Sequence, residues 1–519
     1  MLFRKTLPAL GLLGLLALGT GCNDFLDVNT DPLNPTQVES PLLLAATQAA
    51  MSTYLGQSVN GLSQPTSAIM QQLVNTRIGS YTLTGQSFEN EWAGLYTDAL
   101  SNNEQIIRQS TASQQWAYVG IAQIQKAYIF SQMVDMWGDI PYSEALQGAA
   151  NRAPRYDDDA QIYDDLFRLL DEGIANLAKD PSSTISGDLI YNGNLTRWRQ
   201  LASTIKLKMY NQVRLVRNVQ QPVAALLAAG DLLPSGADFE FRYGASTQPD
   251  NRNLGFIGDY ANSGRENSIN PRFFQLMKSR TDPRIPYYFY NQVTSSVAQT
   301  VDFQDGKFIS TRFGSVGPNA ATNNSSLRTL QGLYPIGGKY DNNSGGLATQ
   351  SSGKGVVAQH FLPFFSRKFI EAELQLTVLS NPAAARQAYE DGIRAAFDKV
   401  NAIATADGSP VISATSINNY VTAALTRYTN AATDTDKLRL IMTEKYIASF
   451  GSGLDLYTDY RRTNLAPVIV SADDDNDAQT VATGPFPLRL PYRQSDLLAN
   501  PNAPAQVNVA TDRVFWDPN

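Results

Sequence analysis

Apolar residues recur every three or four positions through two long blocks of this chain, and that period admits little besides packed helices. Between Trp116 and Trp137 the spacing carries Tyr118, Ile121, Ala122, Ile124, Tyr128, Ile129, Met133 and Val134. A second helix is expected over about 160 to 177, where Ile162, Leu166, Leu169, Leu170, Ile174 and Leu177 form one stripe. It opens behind Asp157, Asp158 and Asp159, and acidic groups suit a helix N-terminus. A third, over about 195 to 217, carries Trp198, Leu201, Ile205, Met209 and Val213. The period returns at 364–379 and 383–400, with Asn381 and Pro382 at the turn, and again at about 435–450. In "AYEDGIRAAFDKV" small and large apolar residues alternate at helical spacing, as stacked helical hairpins require, although no strict 34-residue repeat is present.

Between about 220 and 360 the period fades, and Gly, Asn, Ser, Pro and Tyr accumulate in "IPYYFYNQ", "GSVGPNAATNNSS" and "LYPIGGKYDNNSGG". Loops of that length inside a compact body usually serve function, and the interleaved tyrosines favour order over a plain linker. The expected organisation is one body over 41–519: helical at 41–219, loop-rich at 220–360, helical at 361–466 and a coil tail at 467–519.

The N-terminus has a separate logic. Arg4 and Lys5 precede an apolar run from Leu7 to Leu18, then Gly19, Thr20 and Gly21, which reads as a signal peptide over 1–21. The run is too short to cross a bilayer, which takes roughly 20 helical residues. Cys22 is the one cysteine in the 519 residues, so it has no intramolecular partner, and its position at the end of a signal peptide suits no core. The pattern resembles a bacterial lipoprotein signal, with Cys22 as the lipid attachment point, although Gly19 stands where leucine is usual. Residues 22–40, with Pro32, Pro35 and several Asn and Asp, are expected to be an extended leader. Without the two cations of the signal peptide, 39 basic residues face 48 acidic ones, which argues against nucleic acid as a partner.

Catalytic signatures are sparse. The single His360 sits among bulky apolar residues in "VVAQHFLPFF", expected as a structural histidine, and no second His exists for a common zinc site. No Gly-x-Ser-x-Gly elbow, phosphate loop or dinucleotide fingerprint is present. Two carboxylates could still meet in space as a glycoside hydrolase pair. The run Asp473 to Asp477 offers the oxygen ligands calcium prefers but lacks the EF-hand glycine and closing glutamate, so a solvated loop is the expectation and no cofactor is assigned. Aromatic side chains on loops are natural platforms for sugars or peptides. Candidates are Tyr81 and Trp92 in "SYTLTGQSFENEWAGLY", and Tyr334 and Tyr340 in the central region; the competing reading makes Trp92 and Tyr96 the core face of a helix. Arg461 and Arg462 are expected to pair with Asp455 or Asp459.

At "AYIFSQMVDMWGDIPYSEAL" a helix runs into Trp137, Gly138 and Pro141; Gly138 is expected as a left-handed cap, with Trp137 and Tyr142 packing across the corner. That stretch resembles a hallmark of the SusD/RagB family of nutrient-binding lipoproteins. So do "CNDFLDVNTDPLNPT", "RYDDDAQIYDDLFRLLDEGIANL", "DLIYNGNLTRWRQLASTIKLKMYNQVR", "TDPRIPYY", "FSRKFIEAELQLT", "EKYIASFGSGLDLYTDYRRTN" and "PFPLRLPYRQSDLLAN", in the family's order. The resemblance implies a mainly α fold of tetratricopeptide-like hairpins under a loop-rich, ligand-facing region. It implies a lipid-anchored protein on the outer face of the outer membrane of Bacteroidota. There it would bind an oligosaccharide or peptide nutrient and deliver it to a SusC-like TonB-dependent barrel transporter. On that reading the protein is not an enzyme; the alternatives are a surface glycoside hydrolase and a structural lipoprotein without ligand.

Overall fold

A computed structural model describes residues 38–262, 264–298, 300–315, 326–465, 467 and 484–519. Cys22 and the acidic run Asp473–Asp477 lie outside the described residues. The first helical block contains α1 (Ser40–Tyr54), α2 (Ser63–Ile69), α3 (Glu89–Gly94), a π-helical segment Leu95–Leu100, α4 (Ser101–Ala112), α5 (Trp116–Trp137), α6 (Asp159–Leu177), α7 (Leu195–Val213) and α8 (Gln220–Ala229). The central region holds α9 (Pro271–Ser279), single helical turns and short strands. The second block is α10 (Phe364–Thr377), α11 (Pro382–Asp407), α12 (Ala414–Asn430), α13 (Asp434–Ala448) and α14 (Gly453–Thr463), and α15 (Gln494–Ala499) follows near the end. Sequential helices pack as hairpins, α4 on α5, α5 on α6, α6 on α7, and α10 on α11, so the fold is mainly α and tetratricopeptide-like.

The helix ends follow local chemistry. Asp158 caps α6 by accepting from the Gln161 N–H at 3.0 Å, and Asn381 caps α11 by accepting from Ala384 N–H at 3.1 Å ahead of Pro382. Gly138 ends α5 with φ +71° and ψ −124°, a glycine conformation but not the expected left-handed cap. Its missing side chain also leaves room for the Arg489 guanidinium. The expected packing of Trp137 against Tyr142 gives way to other partners: Trp137 packs on Trp92 and Tyr142 on Phe130. α5 is buried on nearly every face, Gln125, Gln132 and Asp135 included, which makes it the central helix and not one amphipathic wall among several.

Short strands organise the remainder, and among the described residues six are three residues or longer: β1 (Leu73–Asn75), β2 (Phe239–Phe241), β3 (Asn267–Ile269), β4 (Phe303–Asp305), β5 (Phe308–Ser310) and β6 (Gln359–Leu362). β1 pairs antiparallel with β3, β2 with β6, and β4 with β5. The central region is therefore less loop-like than composition implies. Tyr288, Phe289, Tyr290 and Tyr334 are all buried in it. The "TDPR" stretch explains how it is bolted to the second block. Asp282 accepts from the backbone N–H and Nε of Arg284, each at 2.9 Å, and the fully buried guanidinium lies 4.7 Å from the Phe397 ring of α11.

A buried ionic clamp joins the two helical blocks. Glu373 of α10, fully buried, accepts from Arg214 Nη2 at 2.7 Å, Asn211 Nδ2 at 2.8 Å and both terminal nitrogens of Arg462. Arg462 also donates to Asp459 at 2.8 Å, and Asp459 takes Lys445 Nζ at 2.7 Å. Asp455 pairs with Lys208, not with an arginine. Burial alone would raise the Glu373 pKa; the Arg462 and Arg214 guanidiniums overcome it and hold the carboxyl well below its usual range.

Over 484–519 the tail is coil apart from α15, and it packs on the body. Leu490, Tyr492, Val514 and Trp516 join the main core, and Trp516 Nε1 donates to Asp135 of α5 at 2.9 Å. Arg461 donates to the backbone carbonyls of Asp135 and Leu488, so it holds this tail against α5 and pairs with neither expected aspartate.

Candidate functional site

The four aromatic residues singled out from sequence fall in different places. Tyr81 is 4% exposed, packed between Phe313 and Phe486, and its hydroxyl accepts from Gln71 Nε2 at 2.9 Å. Burial pushes its phenol up to about 12. Tyr334 is 1% exposed and stacked between Tyr288 and His360, with its hydroxyl donating to the Ala448 carbonyl. As platforms for a ligand these two are corrected, since neighbouring rings cover their faces. Tyr340 is half-buried against Tyr287 at 4.7 Å. His360 is the structural histidine expected, hydrogen-bonded through Nδ1 to Glu240 at 3.0 Å across the β2–β6 pair.

Trp92 leads to a cleft. It is 3% exposed and anchors an aromatic nest, with Trp137 edge-on at 5.1 Å, Tyr96 at 5.5 Å, Tyr156 roughly parallel at 6.1 Å and Tyr492 at 6.4 Å. The core reading of Trp92 thus holds for most of its ring. Its remaining edge and Tyr96 form one wall of a cleft of about 420 Å³. Here the chain changes from α3 to the π-helical segment, a local widening that recurs at functional sites and that turns Tyr96 and Thr97 to the cleft. The opposite wall is the 141–154 segment with Pro141, Leu146, Asn151 and Arg152, and Arg493 and Asp496 close the end.

The polar groups are mostly fixed in place. Tyr96 donates to the Pro141 carbonyl at 2.6 Å, and Tyr156 donates to Asp496. Arg493 Nε donates to Glu89 at 2.7 Å, and Ser495 Oγ donates to the same carboxylate at 2.7 Å. Burial works to raise Glu89, but the hydrogen bonds from Ser495 and Arg493 win and keep it below the ordinary carboxylate range. Burial raises the Tyr96 phenol well above 10, so it remains a neutral donor. Arg152 is exposed at the rim and has no hydrogen-bond or ion-pair partner among the described residues. The edge of Trp92 and the half-buried Tyr96, beside anchored donors and acceptors and the unpartnered Arg152, offer a polyhydroxylated ligand apolar contact and hydrogen bonds.

Sequence reasoning reached Trp92 and named Tyr96 as its neighbour, but missed Asn151, Arg152, Arg493 and Asp496. They come from two segments about 340 residues apart, and no local pattern marks them. A further group, Asp139, Asp158 and Asp159, brings carboxylate oxygens within 4.8 Å of one another. These oxygens already accept backbone N–H groups of Asp159, Gln161 and Phe515, so they build the start of α6.

Comparisons with known proteins agree with this architecture. Residues 32–492 match the SusD-like family described as starch-binding and associating with the outer membrane. A search of the curated proteins finds no match. Among solved structures, a SusD homologue from Bacteroides fragilis superposes with TM-score 0.69 at 19% identity, covering 93% of this chain and 99% of that one. A chitin-binding protein superposes with TM-score 0.68 at 20% identity, covering 93% and 100%. A chitin-binding SusD homologue from Flavobacterium johnsoniae gives 0.65 at 20% identity, covering 92% and 99%. At these identities the superpositions speak for the fold, and the match over 32–492 speaks for the family: the chain belongs to the SusD-like proteins, a family of starch-binding proteins that associate with the outer membrane.

Proposed function

We propose that this protein is a non-catalytic, lipid-anchored binding protein that captures an oligosaccharide in the Trp92–Tyr96 cleft and passes it to a SusC-like TonB-dependent barrel. The observation that carries the reading is the cleft itself, lined by the Trp92 edge, Tyr96, fixed polar groups and the unpartnered Arg152. Family membership and the chitin-binding neighbours support a glycan as the ligand class. The signal-like 1–21 segment, followed by Cys22, supports the lipid anchor, and the family's association with the outer membrane supports that membrane as its place.

Calorimetric titration with short chitooligosaccharides and maltooligosaccharides tests the binding. One series should bind, and Arg152→Ala or Asn151→Ala should weaken it about three- to tenfold, the worth of one hydrogen bond to a neutral or charged group. A folded protein that binds neither series, or variants that bind as the wild type does, would overturn the assignment of the cleft. The anchor is read by acyl-chain labelling, which Cys22→Ser should abolish. Gentle-detergent purification should bring down a barrel transporter in near-equal amount.

A further inference from the structure

A second cavity, of about 270 Å³, lies on the other helical block, between β2, β6, the 354–358 segment and the C-terminal half of α11. Its chemistry differs from that of the glycan cleft. Leu333, Val356, Ile403 and the α11 alanines Ala402 and Ala406 give it apolar walls, with Tyr243 also in the lining. At its base lies a closed charge cluster: Glu240 accepts from His360 Nδ1 at 3.0 Å and from Lys399 Nζ at 2.5 Å, and Lys399 also holds Asp238 at 2.7 Å. Burial would raise Glu240, but His360 and Lys399 more than compensate and hold it at about 2, so it is a carboxylate already neutralised by its neighbours.

What is left over is two cations and one acid. Arg242 is largely exposed and only loosely paired with Glu240 at 3.6 Å. Lys354 is exposed and has no partner among the described residues. Asp407, the other acid of the lining, accepts from Ser409 Oγ. His360, 3% exposed, also keeps an Nε2 without a hydrogen-bond partner, a rare condition for a buried polar atom. An apolar chamber whose lining carries the unpartnered Lys354 and the loosely paired Arg242 can take a molecule with an apolar body and an anionic head.

We propose that this cavity binds a small amphipathic carboxylate, its apolar body against Leu333, Val356, Ile403 and the alanines of α11 and its carboxylate at Lys354 and Arg242. This site is separate from the Trp92 cleft and does not depend on what that cleft binds.

The test titrates the purified protein with butyrate, hexanoate, octanoate and octanol by ligand-observed NMR and calorimetry. Affinity should rise about fourfold per added methylene from butyrate until the chamber is full, and octanol should bind more weakly than octanoate. Ala402→Trp, an exposed helical position pointing its new ring at the chamber lining, should abolish octanoate binding. Lys354→Glu should weaken octanoate at least about fivefold and leave octanol unchanged. Both variants should retain the wild-type circular dichroism and melting curve. No binding of octanoate, no dependence on chain length, equal binding of octanol, or wild-type affinity in folded Ala402→Trp would each overturn the proposal.

Discussion

Replacing Glu373 by glutamine keeps the side-chain shape and removes the charge at the centre of the ionic clamp. The wild-type carboxylate is fully buried and faces Arg214, Arg462 and Asn211. In the variant, Arg214 loses its anion and Arg462 retains only Asp459. Breaking a buried pair from one side costs about 3–5 kcal/mol, because the remaining guanidinium is desolvated without compensation. Unfolding entropy of about 2.1 cal/mol/K per residue over roughly 500 residues gives about 1 kcal/mol per degree, so Tm should fall by about 3–5 °C. Glu172→Gln is the matched control. Its partner Arg168 is 57% exposed and the pair should contribute under about 1 kcal/mol. Differential scanning calorimetry of both variants decides the matter, and a Glu373→Gln shift no larger than that of Glu172→Gln would refute the reasoning. The pH dependence adds a second check. A carboxyl held below its unfolded pKa stabilises the fold above that value and loses the contribution as pH falls toward its folded value. The gap between wild type and Glu373→Gln should therefore narrow below about pH 4.5.

Asp259 has the opposite sign. Burial raises it to about 7, so the folded state keeps a proton that the unfolded chain releases near pH 4; stability should fall as pH rises from about 4 to 7, by on the order of 4 kcal/mol, and Asp259→Asn should flatten that slope in urea unfolding. Gly453→Ala should cost about 1–3 kcal/mol, seen as a lower urea midpoint, because a Cβ there would press on the backbone of Ser63 and Ser67 in α2. Trp516→Ala should cost about 3–5 kcal/mol by the same assay, through the lost ring volume and the loss of one of the two donors to Asp135 Oδ1, Tyr163 being the other.

The sequence makes helices legible where a stripe and a cap coincide. α6 starts where Asp158 predicts, and α11 starts at Pro382 behind Asn381. Other boundaries follow forces that a periodicity does not carry. α7 ends at Val213 although Leu215 and Val216 continue the apolar pattern, and both are exposed. α11 runs on to Asp407 because Gly408, at φ +78°, is the first residue that turns the chain, while the stripe has already thinned to Ala404. α12 escaped notice because its buried face is only Tyr420, Val421, Ala424 and Tyr428. The site was less legible than the fold. Tyr334 stands among glycines and a proline, a composition typical of exposed loops, yet the single turn it occupies is roofed by Tyr288 and His360. Whether a ring in such a segment faces solvent depends on which distant strand lies over it, and Arg152 and Asp496 reach one cleft only after the whole body has closed.

The tail packed on α5 has a consequence for the order in which the molecule can be built. A chain delivered N-terminus first presents Trp137 and Asp135 long before Pro491 and Trp516, which receive or supply their hydrogen bonds, have emerged. Until then the central helix lacks one wall, and its first helical block is an incomplete assembly with apolar surface open to solvent. Closure over so long a sequence separation is slow, since the chain entropy is lost before the contacts form. The stretch from Leu488 to Trp516 thus supplies the wall of the central helix that the first helical block leaves open.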